Sequence, residues 1–265
     1  MTLHFHDGHD IPQLGFGVFQ IPNDLTQAAV ETALEVGYRH IDTAAIYGNE
    51  AGVGAAIRQI PRDQLFLTTK LWNDRHDDVR QALSESLEKL GTDHVDLYLI
   101  HWPATKLYGD SYISAWDQMQ ELKVEGLATS IGVSNFEPQH LQKLGGEVPV
   151  INQIELHPTF QQAQTRAYHA DRDILTEAWG PLGQGHDLTH PAITAIAEEL
   201  GVTVAQVIIR WHLQVGNVVI PKSVTPARIA ENFAVDFTLT EAHMEALAAV
   251  DSGNRIGPVP SEAEF

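Results

Sequence analysis

The amino-acid sequence predicts an α/β protein built as a (β/α)8 TIM barrel, with an N-terminal β-hairpin that covers the floor of the barrel. Apolar strand-like runs alternate with amphipathic stretches along the whole chain, and eight such runs can be counted. The runs are almost continuously apolar, which is typical of a parallel sheet covered on both faces. Eight strand–helix units in about 250 residues is the usual size of a closed barrel, and this chain has 265 residues. We therefore expect a single domain spanning residues 1–265.

The first complete unit illustrates the repeating pattern. Residues 24–37 form an amphipathic stretch with apolar side chains at helical spacing. Asp24 and Gln27 fit a capping box at its start, and Gly37 suits the position just after its end. Residues 38–43 then read as a strand. The other predicted strands are residues 15–18, 65–69, 95–102, 128–133, 150–156, 174–179 and 217–220.

A doubly wound sheet is the alternative to the barrel. It would place a glycine-rich turn after its first strand. Gly15 and Gly17 begin such a pattern, but Gln20 stands where the third glycine is needed. The barrel is therefore favoured, and residues 3–5 and 11–14, on either side of Asp7-Gly8, predict a hairpin with a type I′ turn.

Composition excludes several kinds of partner and site. The 35 acidic residues outnumber the 16 basic ones, which gives a net charge of −19 and argues against nucleic acid. No apolar run approaches the ~18 residues of a membrane span, and the first residues lack the features of a signal peptide. We therefore expect no membrane partner and a cytoplasmic location. The absence of cysteine excludes disulfides and a cysteine nucleophile.

Polar and aromatic side chains recur where the predicted strands end. The carboxyl ends of barrel strands open onto one mouth, which is where the active sites of such barrels lie. Tyr47 comes shortly after the second strand and can fold back over that mouth. The residues at the strand ends are Asp42, Lys70, His101, Ser134, Asn135, Gln153, Glu155, Trp179 and Lys222.

Taken one at a time, these residues have structural explanations. Asp42 could cap a helix, Lys70 could be a solvated strand end, and His101 could be a structural histidine. Together, a carboxylate, a lysine, a tyrosine and a histidine indicate a proton-transfer site. An ammonium group near a phenol lowers the phenol pKa, and a carboxylate holds that ammonium charged and in place.

A metal site is not expected. His4, His6 and His9 have a spacing that a metal could use, but they fall on the predicted hairpin, far from the mouth. The other histidines show no spacing typical of a metal site. Gly52 and Gly54 fall in a predicted helix and indicate close packing rather than a phosphate-binding loop.

Six segments of the chain resemble the aldo-keto reductase family, in the family's order and over essentially the whole length. They are GYRHIDTAAIYGNE (37–50), LTTKLW (67–72), DLYLIHWP (96–103), SIGVSNF (130–136), NQIELHP (152–158) and IPKS (220–223). The resemblance implies reduction of an aldehyde or ketone by NADPH. It places the family's catalytic tetrad on Asp42, Tyr47, Lys70 and His101, with Tyr47 as the general acid and His101 orienting the carbonyl oxygen.

The same resemblance implies a cofactor site. Ser134, Asn135 and Gln153 match the positions that hold the carboxamide. Trp179 stands where the family commonly stacks a tyrosine on the nicotinamide, which is similar to the actinobacterial 2,5-diketo-D-gluconic acid reductases. The remaining positions implied to contact the pyrophosphate, the 2′-phosphate and the adenine are Gly180, Leu182, Gln184, Lys222, Ser223, Val224, Arg228, Glu231 and Asn232. Two cations near a helix that begins at Pro226 also predict an anion site from the residues themselves.

The expected substrate is a small aldehyde, an α-dicarbonyl or a keto-sugar acid. Phe19, Trp72 and Trp102 would line its pocket. The segment after Pro103 and the tail after Asp251 are short, which predicts an open and shallow mouth. Two alternatives remain: a barrel aldolase that uses Lys70 as a Schiff-base nucleophile, and a non-catalytic NADPH-binding subunit.

Overall fold

The computed structural model describes residues 1–265 and contains a parallel eight-stranded sheet preceded by a short antiparallel hairpin. Within the large sheet, each strand pairs with the next strand along the chain. The hairpin consists of β1 (Thr2–His4) and β2 (Asp10–Pro12). The sheet consists of β3 (Phe16–Gly17), β4 (His40–Asp42), β5 (Phe66–Leu71), β6 (Val95–Ile100), β7 (Ala128–Ser134), β8 (Ile151–Glu155), β9 (Leu175–Trp179) and β10 (Val218–Val219).

Backbone hydrogen bonds join the last strand to the first and close the sheet into a barrel. The amide of Val219 donates to the carbonyl of Gln13 at 2.9 Å, and the amide of Gly15 donates back to Val219 at 2.9 Å. One step further, Gly17 donates to Pro221 at 3.2 Å. Gly17 allows this approach, because a Cβ there would stand 2.9 Å from the carbonyl oxygen of Ile220. The predicted (β/α)8 barrel is confirmed.

Helices follow the strands and cover the outside of the sheet. The helices are α1 (Asn23–Val36), α2 (Glu50–Ile57), α3 (Val79–Leu90), α4 (Thr105–Tyr108), α5 (Ser111–Val124), α6 (Pro138–Leu141), α7 (Ala163–Ala170), α8 (Pro191–Leu200), α9 (Val204–Gln214), α10 (Pro226–Phe233) and α11 (Glu241–Ala248). The large hydrophobic core lies between the strands and the helices α1, α3 and α5. No single helix is long and apolar enough to cross a membrane; α8 and α9 reach the required length and composition only as a pair, bent by 94°.

The hairpin covers the floor of the barrel, as predicted. Phe5 and Ile11 are buried in a cluster with the floor-side residues of the strands, among them Phe66, Leu97 and Val150. This packing removes the open lower end of the barrel from water. It also leaves the carboxyl ends of the strands as the accessible face.

The turn of the hairpin differs from the predicted type I′ turn. That type needs positive φ at both central residues, but only Gly8 has one, at +93°. The amide of Gly8 donates to Phe5, and the amide of Phe5 donates to His9. The loop is therefore a three-residue connection in which Gly8 supplies the left-handed position. Asp7 is tied instead to the barrel, because its carboxylate accepts a hydrogen bond from Ser130 at 2.9 Å.

The capping box predicted at Asp24 and Gln27 is also wrong. Helix α1 begins one residue earlier, at Asn23, and Pro22 precedes it without a side-chain cap. Gln27 faces solvent and donates to Glu31 at 2.9 Å. The close-packing prediction for the helical glycines is confirmed, since a Cβ on Gly54 would stand 2.5 Å from the carbonyl oxygen of Lys89.

Candidate active site at the carboxyl ends of the strands

A buried ion pair lies at the centre of the mouth. Lys70 is the penultimate residue of β5, Asp42 ends β4, and these two strands are parallel neighbours. Lys70 Nζ donates to the two carboxylate oxygens of Asp42 at 2.7 and 2.8 Å, and to the carbonyl oxygen of Thr43 at 2.9 Å. Burial lowers the pKa of Lys70, but the charge and hydrogen bonds of Asp42, together with the nearby Tyr47 and Glu177, outweigh burial and raise the pKa above its ordinary value.

The ion pair bears on the aldolase alternative. A Schiff-base lysine must lose its proton to act as a nucleophile. Lys70 is instead held protonated by Asp42, and its three hydrogens point at the oxygens of Asp42 and Thr43 or towards Tyr47. This geometry argues against Lys70 as the nucleophile of an aldolase.

Tyr47 lies beside the ammonium group. It ends a short 3-10 turn, Ala45–Tyr47, which stops at Gly48 with a φ of +68°. The hydroxyl of Tyr47 stands 3.4 Å from Lys70 Nζ. Burial raises the pKa of Tyr47 to about 12, while the charge of Lys70 lowers it by a smaller amount. The predicted lowering of the Tyr47 pKa by Lys70 is present, but burial outweighs it and the net pKa is raised. The phenol therefore holds its proton at neutral pH.

His101 completes the group. Its ring meets the ring of Tyr47 edge-on, with centroids 5.5 Å apart. Burial, and then the charge of Lys70, hold the pKa of His101 well below 6.5, so the imidazole is neutral. Its Nδ1 is buried without a hydrogen-bond partner. A buried N–H with no acceptor costs about 1–3 kcal/mol. We therefore infer that the single proton sits on Nε2, where it can be donated to a substrate oxygen.

Gln153 and Glu177 extend this group deeper into the barrel. The side-chain amide of Gln153 donates to Asp42 Oδ2 at 2.8 Å and to Glu177 Oε2 at 2.9 Å. Burial, and then the charge of Asp42, raise the pKa of Glu177 to about 8. Glu177 therefore carries a proton at neutral pH. Sequence reasoning missed this residue, although an acidic side chain inside an apolar strand run was a visible signal.

The titration of Glu177 gives a stability prediction. The unfolded chain releases this proton near the ordinary glutamate pKa of 4.5, whereas the folded protein keeps it until about pH 8. The stabilisation from this proton is complete below about pH 4.5 and is lost as the pH rises to about 8, at about 1.4 kcal/mol per pH unit at most.

Glu177→Gln removes this contribution and keeps the shape. We expect the free energy of unfolding of the wild type, measured with urea from pH 5 to 8, to fall more steeply than that of the variant. Equal slopes for the two proteins would contradict the assignment of a buried, protonated Glu177.

The predicted carboxamide and nicotinamide positions lie together at the rim. Trp179 Nε1 donates to Asn135 Oδ1 at 2.8 Å, and Asn135 Nδ2 donates to the carbonyl oxygen of His101 and to Ser134 Oγ, both at 3.0 Å. Ser134 Oγ in turn donates to the carbonyl oxygen of Gln153 at 2.8 Å. These bonds fix the plane of the Trp179 indole next to His101. They leave Asn135 Oδ1 able to accept one further hydrogen bond.

Trp179 gives a spectroscopic prediction. If a nicotinamide stacks on its half-buried indole, binding of NADPH should quench part of the fluorescence from the five tryptophans. We expect Trp179→Phe, which keeps an aromatic plane, to remove at least half of that quench. Trp211→Phe, a fully buried residue of α9, serves as the control. A quench unchanged by Trp179→Phe would point to Trp72 or Trp102 instead.

The remaining predicted cofactor positions follow β9 and β10, which are neighbouring strands. After β9, the loop containing Gly180, Leu182 and Gln184 has positive φ at Gly180 and Gln184, of 57° and 51°. After β10, Lys222 and Arg228 are exposed, and neither forms an ion pair within the chain. The others in this second segment are Ser223 and Asn232, both buried, and Val224 and Glu231, both exposed. No hydrogen bond links either segment to the group around Lys70.

The predicted substrate wall is present, and the tail of the chain adds to it. Trp72 packs edge-on against His101 at 5.2 Å, and Phe19 lies 5.0 Å from the ring of Tyr47. Phe265 stacks on Trp72, with 5.7 Å between ring centroids, and meets Trp102 edge-on at 5.1 Å. The tail therefore adds an aromatic wall to the mouth that its short length did not predict, while Phe19 and Phe265 remain 52% and 41% exposed. A local sequence pattern could not reveal a contact between Trp72 and a residue 193 positions later.

Glu155 anchors this tail rather than facing the mouth. Its carboxylate accepts hydrogen bonds from the amides of Ile256 at 2.6 Å and Gly257 at 2.8 Å. His157 bridges Glu155 and Asp187, at 3.2 and 3.0 Å. Although burial lowers the pKa of His157, the two carboxylates outweigh it and raise the pKa above its ordinary value. The buried cluster holds the tail to β8 and to the loop after β9.

Comparisons with known proteins agree with this architecture. The sequence model of the aldo/keto reductase family matches residues 13–252 of the chain. The chain is 52% identical to "Methylglyoxal reductase DkgA" of Escherichia coli (strain K12), over 98% of this chain and 97% of that protein.

Solved structures give the same result. An aldo/keto reductase from Brucella melitensis is 53% identical and superposes with a TM-score of 0.91, over 95% of this chain and 98% of that one. A variant of Gox0644, solved in complex with NADPH, is 46% identical with a TM-score of 0.96, over 100% of this chain and 99% of that one.

Proposed function

Since this chain belongs to the aldo/keto reductase family and is a nicotinamide-dependent oxidoreductase, we propose that it uses NADPH to reduce small carbonyl compounds at the mouth of the barrel. The observation that carries the proposal is the convergence of four side chains. Lys70 Nζ lies 2.7 Å from Asp42 and 3.4 Å from the hydroxyl of Tyr47, and His101 stands beside that phenol.

Each of the four residues then has a role that follows from its surroundings. Tyr47, protonated at neutral pH, donates its proton to the oxygen of the carbonyl as negative charge develops there. Lys70 stands next to the phenolate that this transfer leaves and stabilises it, while Asp42 keeps the ammonium charged. His101, neutral and protonated on Nε2, donates a hydrogen bond that orients and polarises the same oxygen.

The cofactor enters this scheme through residues at the rim. The chemistry supplied by NADPH when it is bound is hydride donation to the carbonyl carbon. Trp179, Asn135, Ser134 and Gln153 would hold the nicotinamide end, because hydrogen bonds link them beside the His101 carbonyl and they offer one aromatic plane and unused acceptor positions. The loop with Gly180, Leu182 and Gln184 would run along the pyrophosphate.

The adenosine end would lie against the segment after β10. Lys222 and Arg228 carry positive charge without an acidic partner, on a chain with a net charge of −19. The NADPH complex of the Gox0644 variant supports the phosphorylated cofactor. Ser223 and Val224 lie between the two cations, and Glu231 and Asn232 lie on α10 towards the adenine.

The proposed substrate class is a small α-dicarbonyl, such as methylglyoxal, with keto-sugar acids and simple aldehydes as further members. Two polar groups, Tyr47 and His101, face a wall made by Trp72, Trp102 and Phe265. Phe265 narrows the space beside the donors and so disfavours a broad, rigid ketone. The name of the Escherichia coli relative, methylglyoxal reductase, points to the same class.

A substrate screen tests the proposal. Loss of NADPH absorbance at 340 nm is followed with methylglyoxal, a keto-sugar acid, a simple aldehyde and a ketosteroid. We expect the highest kcat/KM for the small dicarbonyl or keto acid. A much higher kcat/KM for the ketosteroid would contradict the substrate class. NADPH binding without turnover of any carbonyl would favour a non-catalytic subunit instead.

A further inference from the structure

The side-chain amide of Gln153 is held from two opposite sides. Asp42, paired with Lys70, is a carboxylate and can only accept hydrogen bonds. The atom of Gln153 that faces it at 2.8 Å is therefore the nitrogen. The second hydrogen of that nitrogen reaches Glu177 Oε2 at 2.9 Å. Both amide hydrogens are thus engaged inside the barrel, and no donor of the chain bonds to Gln153 Oε1.

The Glu177 side chain is fully buried, and the Gln153 amide is the only group of the chain that donates a hydrogen bond to it. Its side chain is fully buried on β9, opposite Gln153 of β8 in the strand register. Its other oxygen, Oε1, has no hydrogen-bond partner and lies 3.7 Å from His40 Nε2 of β4. The charged groups nearby are those of Asp42 and Lys70. No surface ion pair or solvent contact competes for Oε2.

The two hydrogen bonds of the Gln153 amide, to Asp42 on β4 and to Glu177 on β9, restrict its orientation more than either bond alone. A single hydrogen bond to Asp42 would leave the Gln153 amide free to swing about that bond. The second bond, to Glu177, fixes the plane of the amide and so fixes the direction of Oε1. The bond to Asp42 places Nε2 of Gln153 on the inner side, and the bond to Glu177 sets the direction of Oε1.

We propose that Glu177 is a positioning residue for the cofactor: by taking the second amide hydrogen of Gln153, it aims Gln153 Oε1 at the carboxamide NH2 of the nicotinamide. The inference rests on the proposed function, because it assumes that the carboxamide binds beside Gln153. Glu177 touches neither the cofactor nor the substrate, and it acts through Gln153.

The experiment compares two oxidised cofactors by calorimetric titration. NADP⁺ carries the carboxamide NH2, whereas its 3-acetylpyridine analogue carries a methyl group at that position. The wild type should bind NADP⁺ more tightly than the analogue. Glu177→Met removes the acceptor, and we expect it to reduce this preference about three- to tenfold, the effect of one hydrogen bond. Glu177→Gln keeps a carbonyl acceptor and should retain the preference within about twofold.

Glu50→Met is the matched control. Glu50 is also buried and also accepts a hydrogen bond, from Thr69 at 2.7 Å, but it lies on α2. We expect it to leave the preference unchanged. Circular dichroism of each variant confirms that it is folded. If Glu177→Met does not fold, Glu177→Leu, which also lacks an acceptor, replaces it with the same expected loss of preference.

The outcomes separate this inference from the proposed function. A wild type that binds neither cofactor overturns both. A wild type that binds NADP⁺ but does not prefer it to the analogue overturns the inference alone. A preference for NADP⁺ that survives in folded Glu177→Met also overturns the inference alone. The same holds if Glu177→Gln loses the preference as fully as Glu177→Met does.

Discussion

Tyr47→Phe is expected to lower the kcat of NADPH-dependent carbonyl reduction by at least 10²- to 10⁴-fold, the usual contribution of a general acid. The substitution deletes only the hydroxyl that stands 3.4 Å from Lys70 Nζ, and it leaves the ring against Phe19 and His101. The Kd for NADPH should therefore change by less than about threefold. Steady-state kinetics with methylglyoxal and a fluorescence titration with NADPH measure the two quantities.

Tyr38→Phe is the control for this result. Its hydroxyl is buried without a hydrogen-bond partner, so its loss removes a phenol oxygen outside the mouth. We expect kcat within about twofold of the wild type, in line with substitutions away from catalytic groups. A Tyr47→Phe enzyme that turned over within a factor of a few of the wild type would exclude Tyr47 as the proton donor.

Most of the fold could be predicted because the signal is local and repeated. An apolar strand run and an amphipathic helix each carry their own period in the sequence, and each strand of the barrel pairs with its neighbour along the chain. The errors concern geometry that side-chain type does not determine. Asp7-Gly8 fits several turns, and the Asp7 side chain is committed to Ser130 across the barrel floor.

The site could be found from one topological rule, that the carboxyl ends of barrel strands share a mouth. That rule places Asp42, Lys70 and His101 in one mouth without knowledge of any interatomic distance. It fails for Glu177, which lies inside β9 rather than at its end, and for Phe265, which reaches Trp72 from the far end of the chain.

The sign of the Tyr47 pKa shift needs the three-dimensional structure as well. The sequence indicates an ammonium group nearby but not how much water the phenol loses. In the folded protein the loss of water is the larger effect. The protonated phenol that results suits carbonyl reduction, because a proton donor is the group that this direction requires.

Arg228→Ala is expected to weaken the binding of NADPH much more than the binding of NADH. Arg228 is exposed on the first turn of α10, near Lys222, and neither side chain is neutralised by a carboxylate of the chain. A 2′-phosphate would supply the missing negative charge. Hydrogen bonds to charged groups contribute about 1.5–3 kcal/mol each, which corresponds to about a ten- to hundredfold change in Kd. The Kd for NADPH should rise by that factor, whereas the Kd for NADH, which lacks the phosphate, should change by less than about threefold.

The matched control is Arg172→Ala. Arg172 is also exposed, it follows α7, and it lies over the ring of Tyr168 at 3.7 Å. Its removal changes the net charge by the same amount as the removal of Arg228, so it reports the long-range effect of one lost cation on an acidic protein. We expect NADPH affinity within about twofold of the wild type, because charges beyond a Debye length are largely screened at physiological salt. Titrations at low and high salt should show that the Arg228 effect on NADPH shrinks as salt rises. If Arg228→Ala weakened NADPH and NADH equally, the 2′-phosphate would have to bind elsewhere on the rim.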